Sequence, residues 1–414
     1  MTAFSVLRRN RDFRRLFGAE LVVFGADWFV MVPLLVLLNR LTGSGVLGGV
    51  ALAADTGVQA LLLPYGGVIA DRIDRRRIMI TANGAAFVAI GLLLLVRTPG
   101  TAWLGPVAVA AVAIAKAFYS PAATAALPNI VDPSDLSAAN AVAGSAWGTM
   151  AVVGSSLGGV LASLVGSDAC FVIAAGSLAV AAVLAIGVRR PMQAPRDATV
   201  RHEHAFRALR ESFRYIRHQP RVAALVTVKS AVGLGNGVLA LFPVLALTVF
   251  DVGARGTGWL FAARGLGALA GPLLMRRVLQ HPSWLFPGLA ISMAVYGVSY
   301  IGVSVTPWFV VALALVVVAH LAGGGNWVMS AYALQIEVPD ELRGRVFAAD
   351  TMIATLAVTV STLTVGLFID TVDARILIAA CGAVTLVYAM VWRVITLRLP
   401  AHVDSAQELV GARP

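Results

Sequence analysis

Gly66-Gly67-Val68-Ile69-Ala70-Asp71-Arg72-Ile73-Asp74-Arg75-Arg76-Arg77 closes an apolar run that begins near Val46. From 46 to 70 the chain carries one charge, Asp55; from 71 to 77 it carries six. As a helix, the apolar run is about 37 Å long, enough to cross a hydrocarbon core of about 30 Å. Backbone polar groups in lipid must be satisfied inside the segment, so such a run is helical. The glycines allow a neighbouring helix to come close. Asp71 is suited to a helix N-terminus, where the dipole favours an anion. The arginines sit at the level of the lipid headgroups. Read plainly, the stretch is a basic loop at one membrane face.

The same pattern recurs along the whole chain. Of its 414 residues, 59% are hydrophobic and 13% charged. A soluble domain carries about a quarter charged residues, so this chain lacks the polar surface to be one. The mean hydropathy is +0.84. The apolar runs predict spans at 17–39, 46–70, 78–97, 103–127, 138–165, 169–188, 222–249, 257–275, 284–304, 308–334, 346–370 and 375–397, about twelve helices of membrane-crossing length. The alternation of a β-barrel is absent. The fold class expected is an all-α integral membrane protein. Arg8, Arg9, Arg11, Arg14 and Arg15 lead straight into the first span without a small-residue cleavage site, so no cleaved leader is expected.

A net charge of +11 invites a nucleic-acid reading, but its distribution opposes one. With the N-terminus inside, 24 Arg fall in cytoplasmic segments and only Arg40, Arg97, Arg255 and Arg375 fall outside. This bias predicts both termini in the cytoplasm of a plasma membrane. Nine of those Arg lie in 189–221, which divides the spans six and six. The predicted domains are a six-helix bundle over 1–190, a cytoplasmic linker over 191–221, and a second bundle with a short tail over 222–414. In the linker, Phe206, Leu209, Phe213 and Ile216 recur at helical spacing beside Arg207, Arg210, Arg214 and Arg217. That pattern fits a helix on an anionic leaflet, or a solvated basic linker.

The halves resemble copies. Pro133 and Leu136 recur as Pro339 and Leu342, 206 residues later. At an offset of 209, Glu20 falls on Lys229, Asp27 on Asn236, and Asp55 on Arg264. A six-helix copy keeps its orientation, so the repeat is parallel.

At the opening stretch the chain resembles the major facilitator superfamily, whose loop reads Gly-x-x-x-Asp-Arg-x-Gly-Arg-Arg. Gly67, Asp71, Arg72, Arg75 and Arg76 match, and Asp74 stands where many members have Gly. Val338-Pro339-Asp340-Glu341-Leu342-Arg343-Gly344-Arg345-Val346 is similar to the loop before the eleventh span in the macrolide-efflux and enterobactin-exporter branch, a drug:proton antiporter branch. Leu127-Pro128-Asn129-Ile130-Val131 is similar to its counterpart. Gly154-Ser155-Ser156-Leu157-Gly158-Gly159 resembles the antiporter signature Gly-Pro-x-x-Gly-Gly, with Ser155 replacing proline. The resemblance implies alternating access by two rocking bundles, with the first, fourth, seventh and tenth spans lining a central cavity. It implies a cytoplasmic latch in which Asp71 and Arg72 meet Arg343, Arg345 or Asp350. It also implies efflux, including multidrug resistance, rather than uptake.

The intramembrane charges stand on their own. A charge at the bilayer centre costs at least about 2.5–3.5 kcal/mol, so such residues are paired or face water. Asp27, Asp55 and Lys116 lie at comparable depth. The chain has 30 Arg and two Lys, and both Lys fall inside spans. Arg stays protonated, whereas a desolvated Lys can change state. The residues therefore predict a protonatable network of Asp27, Lys116 and Asp55, or a static ion pair that orients helices. Asp55 and Arg264, on equivalent helices, are expected at the bundle interface with Asp350. Lys229 either joins the cavity or snorkels to the cytoplasmic face. Glu20, Trp28, Tyr119, Asn236, His320 and Asn326 are expected near the pathway. Aromatic walls with few charges suit an amphipathic or hydrophobic substrate.

No phosphate-cradling loop, metal-ligand cluster or nucleophile elbow is evident, so an enzyme or ATP-driven pump is not expected, and no cofactor or metal. Cys170 and Cys381 read as small apolar residues. Expected partners are a small-molecule substrate, protons and membrane lipids, with no nucleic acid, and the chain is expected to act as a monomer. Competing classes are an importer or lipid or siderophore transporter on the same fold, and an uncoupled receptor or channel. The richness in Arg, Ala, Val and Gly fits a bacterial source.

Overall fold

The computed structural model describes residues 5–193, 205–279 and 282–399, and among them it is helical throughout, without a strand. The helices are Arg11–Thr42, Val46–Arg72, Arg75–Leu92, Leu104–Ile130, Leu136–Val165 and Ser167–Gly187, then the linker helix Ala205–His218. After it come a segmented helix from Pro220 to Val249, and Gly253–Leu279, Leu285–Val305, Phe309–Glu337, Asp340–Phe368 and Ala374–Thr396. They are numbered here first to sixth and seventh to twelfth, leaving out the linker helix. Several outrun the expected apolar windows because the helix continues into the headgroup zone. Among the described residues, eleven helices are long and apolar enough to cross a membrane. The eighth, Gly253–Leu279, matches them in length, but Arg255 and Arg264 lower its hydropathy.

The caps show how local sequence sets the ends. Asn10 accepts from the Phe13 amide at 2.9 Å, starting the first helix. Its side-chain Nδ2 donates to Ile130 O at 2.9 Å, tying that start to the end of the fourth helix. Gly43, at φ +67°, ends the first helix in the left-handed region. Asp74 sits at φ −56° and accepts from the Arg77 amide at 2.9 Å. The backbone there needs no glycine, and the carboxylate caps the third helix instead.

The first six helices pack second on fourth, fourth on third, third on sixth, sixth on first, and first on fifth. The second set repeats this order: eighth on tenth, tenth on ninth, ninth on twelfth, twelfth on seventh, seventh on eleventh. The fifth helix crosses the eighth and the second crosses the eleventh, which joins the sets. Glycines make both crossings close. A Cβ on Gly49 would lie 2.6 Å from Gly366 Cα, and one on Gly159 would lie 2.8 Å from Gly258 Cα. At one end of the molecule Asp370 closes the joint. Its carboxylate accepts from the Ser44 hydroxyl, and from the Gly45 amide at 3.0 Å.

The seventh span, expected as one helix, is broken into Pro220–Thr227, Lys229–Gly235 and Val238–Val244 with a π turn over Leu245–Val249. The eleventh helix satisfies the freed backbone. The Gly237 amide donates to Ser361 Oγ at 2.9 Å, and the Ser361 hydroxyl donates to Leu234 O. This is how a broken helix survives at membrane depth.

The linker helix packs on the second and eleventh helices. Ser212 and Ile216 are buried there, and Arg345 donates to Glu211 Oε2 at 3.0 Å. Arg210, Phe213, Arg214 and Arg217 face outward. Phe213 and Ile216 lie only about 60° apart around the helix, yet Ile216 packs inward and Phe213 stays exposed, so the apolar stripe is partly taken up by packing against the bundle. The side chains of Phe206, Arg207 and Leu209 lie outside the described residues.

Candidate functional site

Close approach of the second and fourth helices builds the site. A Cβ on Gly66 would lie 2.0 Å from Ala117 O, so only glycine fits this crossing without a shift. One residue before Ala117 stands Lys116. Its ammonium donates to Asp27 Oδ2 at 2.7 Å and to Asp55 Oδ1 at 3.0 Å. Asp27 comes from the first helix and Asp55 from the second. Gln59, one turn after Asp55, donates to Asp55 Oδ1 at 3.0 Å and to its backbone carbonyl at 3.1 Å. The Lys116 side chain is 9% exposed, and each carboxylate is 17% exposed. With all three groups charged, two anions share one cation and the cluster carries a net −1.

A small cavity, with room for about one water molecule, opens against this cluster. Asp27, Lys116, Asn83 and Tyr119 line it among apolar side chains. Asn83 Nδ2 and the Tyr119 hydroxyl are buried without a protein partner among the described residues. Asn83 escaped the sequence reading, since a lone Asn in the third span carries no periodic signal. Glu20 is partly buried two turns before Asp27 on the first helix.

Trp28 stands beside Asp27 at the joint between the helix sets. The Arg264 guanidinium lies 5.0 Å from its ring and Phe261 5.8 Å from it. Asp55 and Arg264 are both expected at the bundle interface. The hydrogen-bonded partners of Asp55 are Lys116 and Gln59. Depth in the membrane, read from spacing, does not give the direction in which a side chain points.

The other polar residues expected near the pathway are buried in the packing of the second set. Asn236, at the break of the seventh helix, accepts from the Tyr296 hydroxyl at 3.2 Å. His320 Nε2 lies 2.8 Å from the Tyr300 hydroxyl. Asn326 donates to Ser292 Oγ at 3.0 Å. Lys229 does not snorkel. It pairs with Asp350, and both side chains are 1% exposed. The Asp350 carboxylate turns to Lys229 of the seventh helix.

The basic loop stitches the first set. Arg75 Nη1 donates to Ala125 O at 2.7 Å and to Met192 O at 3.0 Å, and Arg76 donates to Arg190 O at 3.4 Å. Arg72 is exposed. Gly67 has open space where a Cβ would stand, so the close approach belongs to Gly66. On the far side Arg343 donates to Val338 O at 3.4 Å and Arg345 reaches Glu211. The side chain of Asp71 lies outside the described residues. The signature glycines of the fifth helix do make contacts. A Cβ on Gly154 would meet Gly25 O at 3.0 Å, and one on Gly158 would meet Phe29 O at 2.8 Å. Ser155 replaces the proline and donates to Ala151 O, and the helix runs on unbroken. Both cysteines are buried and free.

Comparison with known proteins agrees with this architecture. The model of the Major Facilitator Superfamily matches residues 16–357. The enterobactin exporter EntS of Shigella boydii serotype 4 (strain Sb227) is 24% identical over 352 residues, covering 83% of this chain and 81% of the relative. The one from Salmonella typhimurium (strain LT2) is 26% identical over 349 residues, covering 82% and 81%. Among solved structures, an inward-facing bacterial homologue of the human lysosomal transporter Spinster superposes with a TM-score of 0.74 at 14% identity, covering 93% of this chain and 97% of that one. The nucleoside transporter NupG does so with a TM-score of 0.74 at 11% identity, covering 94% and 100%. At these identities the superpositions speak for the fold.

Proposed function

The chain belongs to the Major Facilitator Superfamily, and on that premise we propose that it is a proton-coupled exporter of a small amphipathic or hydrophobic compound. It is a multi-pass membrane transporter and not an enzyme. The observation that carries the proton-coupled reading is the ratio in the Lys116 cluster, two carboxylates to one ammonium. One proton converts it from net −1 to a neutral acid beside a satisfied ion pair. In the net −1 form both carboxylates share the Lys116 ammonium, and in the neutral form every remaining ion is paired, as a membrane interior favours.

The coupling follows from the neighbour. Arg264 of the eighth helix stands over the ring of Trp28, the residue next to Asp27, at the joint between helix sets. The net −1 form draws Arg264 toward the first set, and protonation weakens that pull. Asp27 faces the cavity and takes the proton, while Lys116 and Gln59 hold Asp55. On this reading 1–190 and 222–414 rock as two units of six spans about 191–221, with both termini in the cytoplasm, as a monomer. The end closed by Asp370 is then the outer one.

Substrate-induced proton release from energised inverted vesicles tests this, with a panel of amphipathic compounds. Wild type releases protons, and Asp27→Asn, at equal expression, loses the release by at least tenfold. Equal release from the mutant would move coupling away from Asp27. A siderophore cargo is the second reading, favoured by the relatives named enterobactin exporter, so enterobactin belongs in the panel.

A further inference from the structure

The second lysine stands in a different setting from the first. Lys229 opens the middle segment of the broken seventh helix, directly after the break at Thr227 and Val228. Its ammonium donates to Asp350 Oδ2. The same ammonium lies 4.9 Å from the centre of the Trp327 ring, from the tenth helix. Asp350 Oδ1 is buried and has no hydrogen-bond partner among the described residues. So the cation has a second partner, and the anion has a spare oxygen.

We infer that Asp350 is a second proton-binding site of this chain, in which Trp327 retains the Lys229 ammonium while the carboxylate is neutral. The proton adds to the free oxygen and forms an O–H bond; Lys229 keeps its own proton. An unpaired ammonium is costly in a membrane interior, and an aromatic face offsets part of that cost. The site is sealed but lies near the linker end of both helices. Lys229 lies nine residues from Pro220, and Asp350 ten from Asp340, so each is about 14–15 Å from the linker end of its helix. Lys116 lies fourteen residues from Ile130, about 21 Å from the corresponding end.

The titratable and charged side chains on the elements around the seventh and eleventh helices are engaged elsewhere or exposed. The linker contributes Glu211, which is engaged by Arg345. The tenth helix contributes Glu337, engaged by Arg221 at 2.5–3.2 Å. The twelfth contributes Tyr388, whose hydroxyl donates to Thr227 O at 2.9 Å. The second helix contributes Asp55, held by Lys116, and the exposed Arg72. Arg343 is turned to Val338 O. Each carboxylate among these has a cation, and among the described residues only Asp350 has a buried carboxylate oxygen without a hydrogen-bond partner. Neutralising it frees Lys229 from the eleventh helix, which also docks the linker helix. Its use in transport rests on the proton-coupled reading above; the protonation itself does not.

The test is a pH-difference infrared spectrum of the purified protein in bilayers without substrate. In Asp27→Asn with Asp55→Asn, a protonated-carboxyl band remains, and adding Asp350→Asn removes it. Lys229→Met with Asp350→Leu removes both charges together and also lacks the band, which covers a misfolded Asp350→Asn. Trp327→Leu moves the band's midpoint down by about one pH unit, because the unpaired ammonium loses its support. A spectrum unchanged by Asp350→Asn and by Trp327→Leu, over the range where the protein stays folded, would overturn the inference. Absent proton release in the vesicle assay would instead sink the transport reading and leave this result intact.

Discussion

The two lysines divide the molecule into two kinds of buried charge. Lys116, in the first helix set, holds two carboxylates beside a cavity; Lys229, in the second, holds one and is sealed. The difference is one of charge count. Three charged groups can accept a proton and still leave every ion paired. Two charged groups that accept one leave a cation behind, so the second site needs Trp327 where the first needs nothing. A carrier that must cycle a proton near neutral pH is better served by the first arrangement.

The comparison breaks most easily at Lys116. Lys116→Met leaves two buried carboxylates without their cation, and removing one partner of a buried pair costs about 3–5 kcal/mol. Thermal unfolding in detergent should show a marked loss, and proton-driven export should fall to background. The next largest effect is at Gly66, where any Cβ meets Ala117 O beside Lys116. Gly66→Ala should push the second helix from the fourth and lower export at least tenfold, whereas Gly67→Ala, with open space, should leave it within twofold. Such a contrast would place the tight crossing at Gly66 and not at the motif glycine.

Smaller effects sharpen the second site. Lys229→Met with Asp350→Leu replaces a sealed pair by apolar groups, a change that is often neutral or stabilising by about 1–4 kcal/mol. A retained melting temperature is expected; a collapse in folded yield would show the pair to be a structural anchor. Gln59→Leu removes one hydrogen bond to Asp55 and should cost about 1 kcal/mol, a few-fold in export. A loss as large as that of Lys116→Met would mean that Gln59 acts on the proton directly.

The fold was legible because membrane physics restricts the choices. Apolar runs of fixed length, an Arg bias and the repeated Pro-x-x-Leu loops already point to paired helix sets. Asp27, Asp55 and Lys116 were legible as a group by shared depth. The rest depended on azimuth and on backbone breaks. Spacing did not show that Asp350 turns inward, or that Ser361 satisfies a break at Gly237. The break has a faint signal in Gly233, Gly235 and Gly237, but glycines in a span serve close packing as often. Gly67 was favoured by its motif, while the contact that needs glycine falls one residue earlier.

The central claim is that the Lys116 cluster couples a proton to export. Proteoliposomes with Asp27→Asn test it most directly, by comparing proton-driven accumulation with substrate exchange at equal pH on both sides. The account predicts that accumulation falls at least tenfold while exchange stays within about twofold, because the substrate path survives and only the proton step is lost. Accumulation that persists at the wild-type level would contradict it.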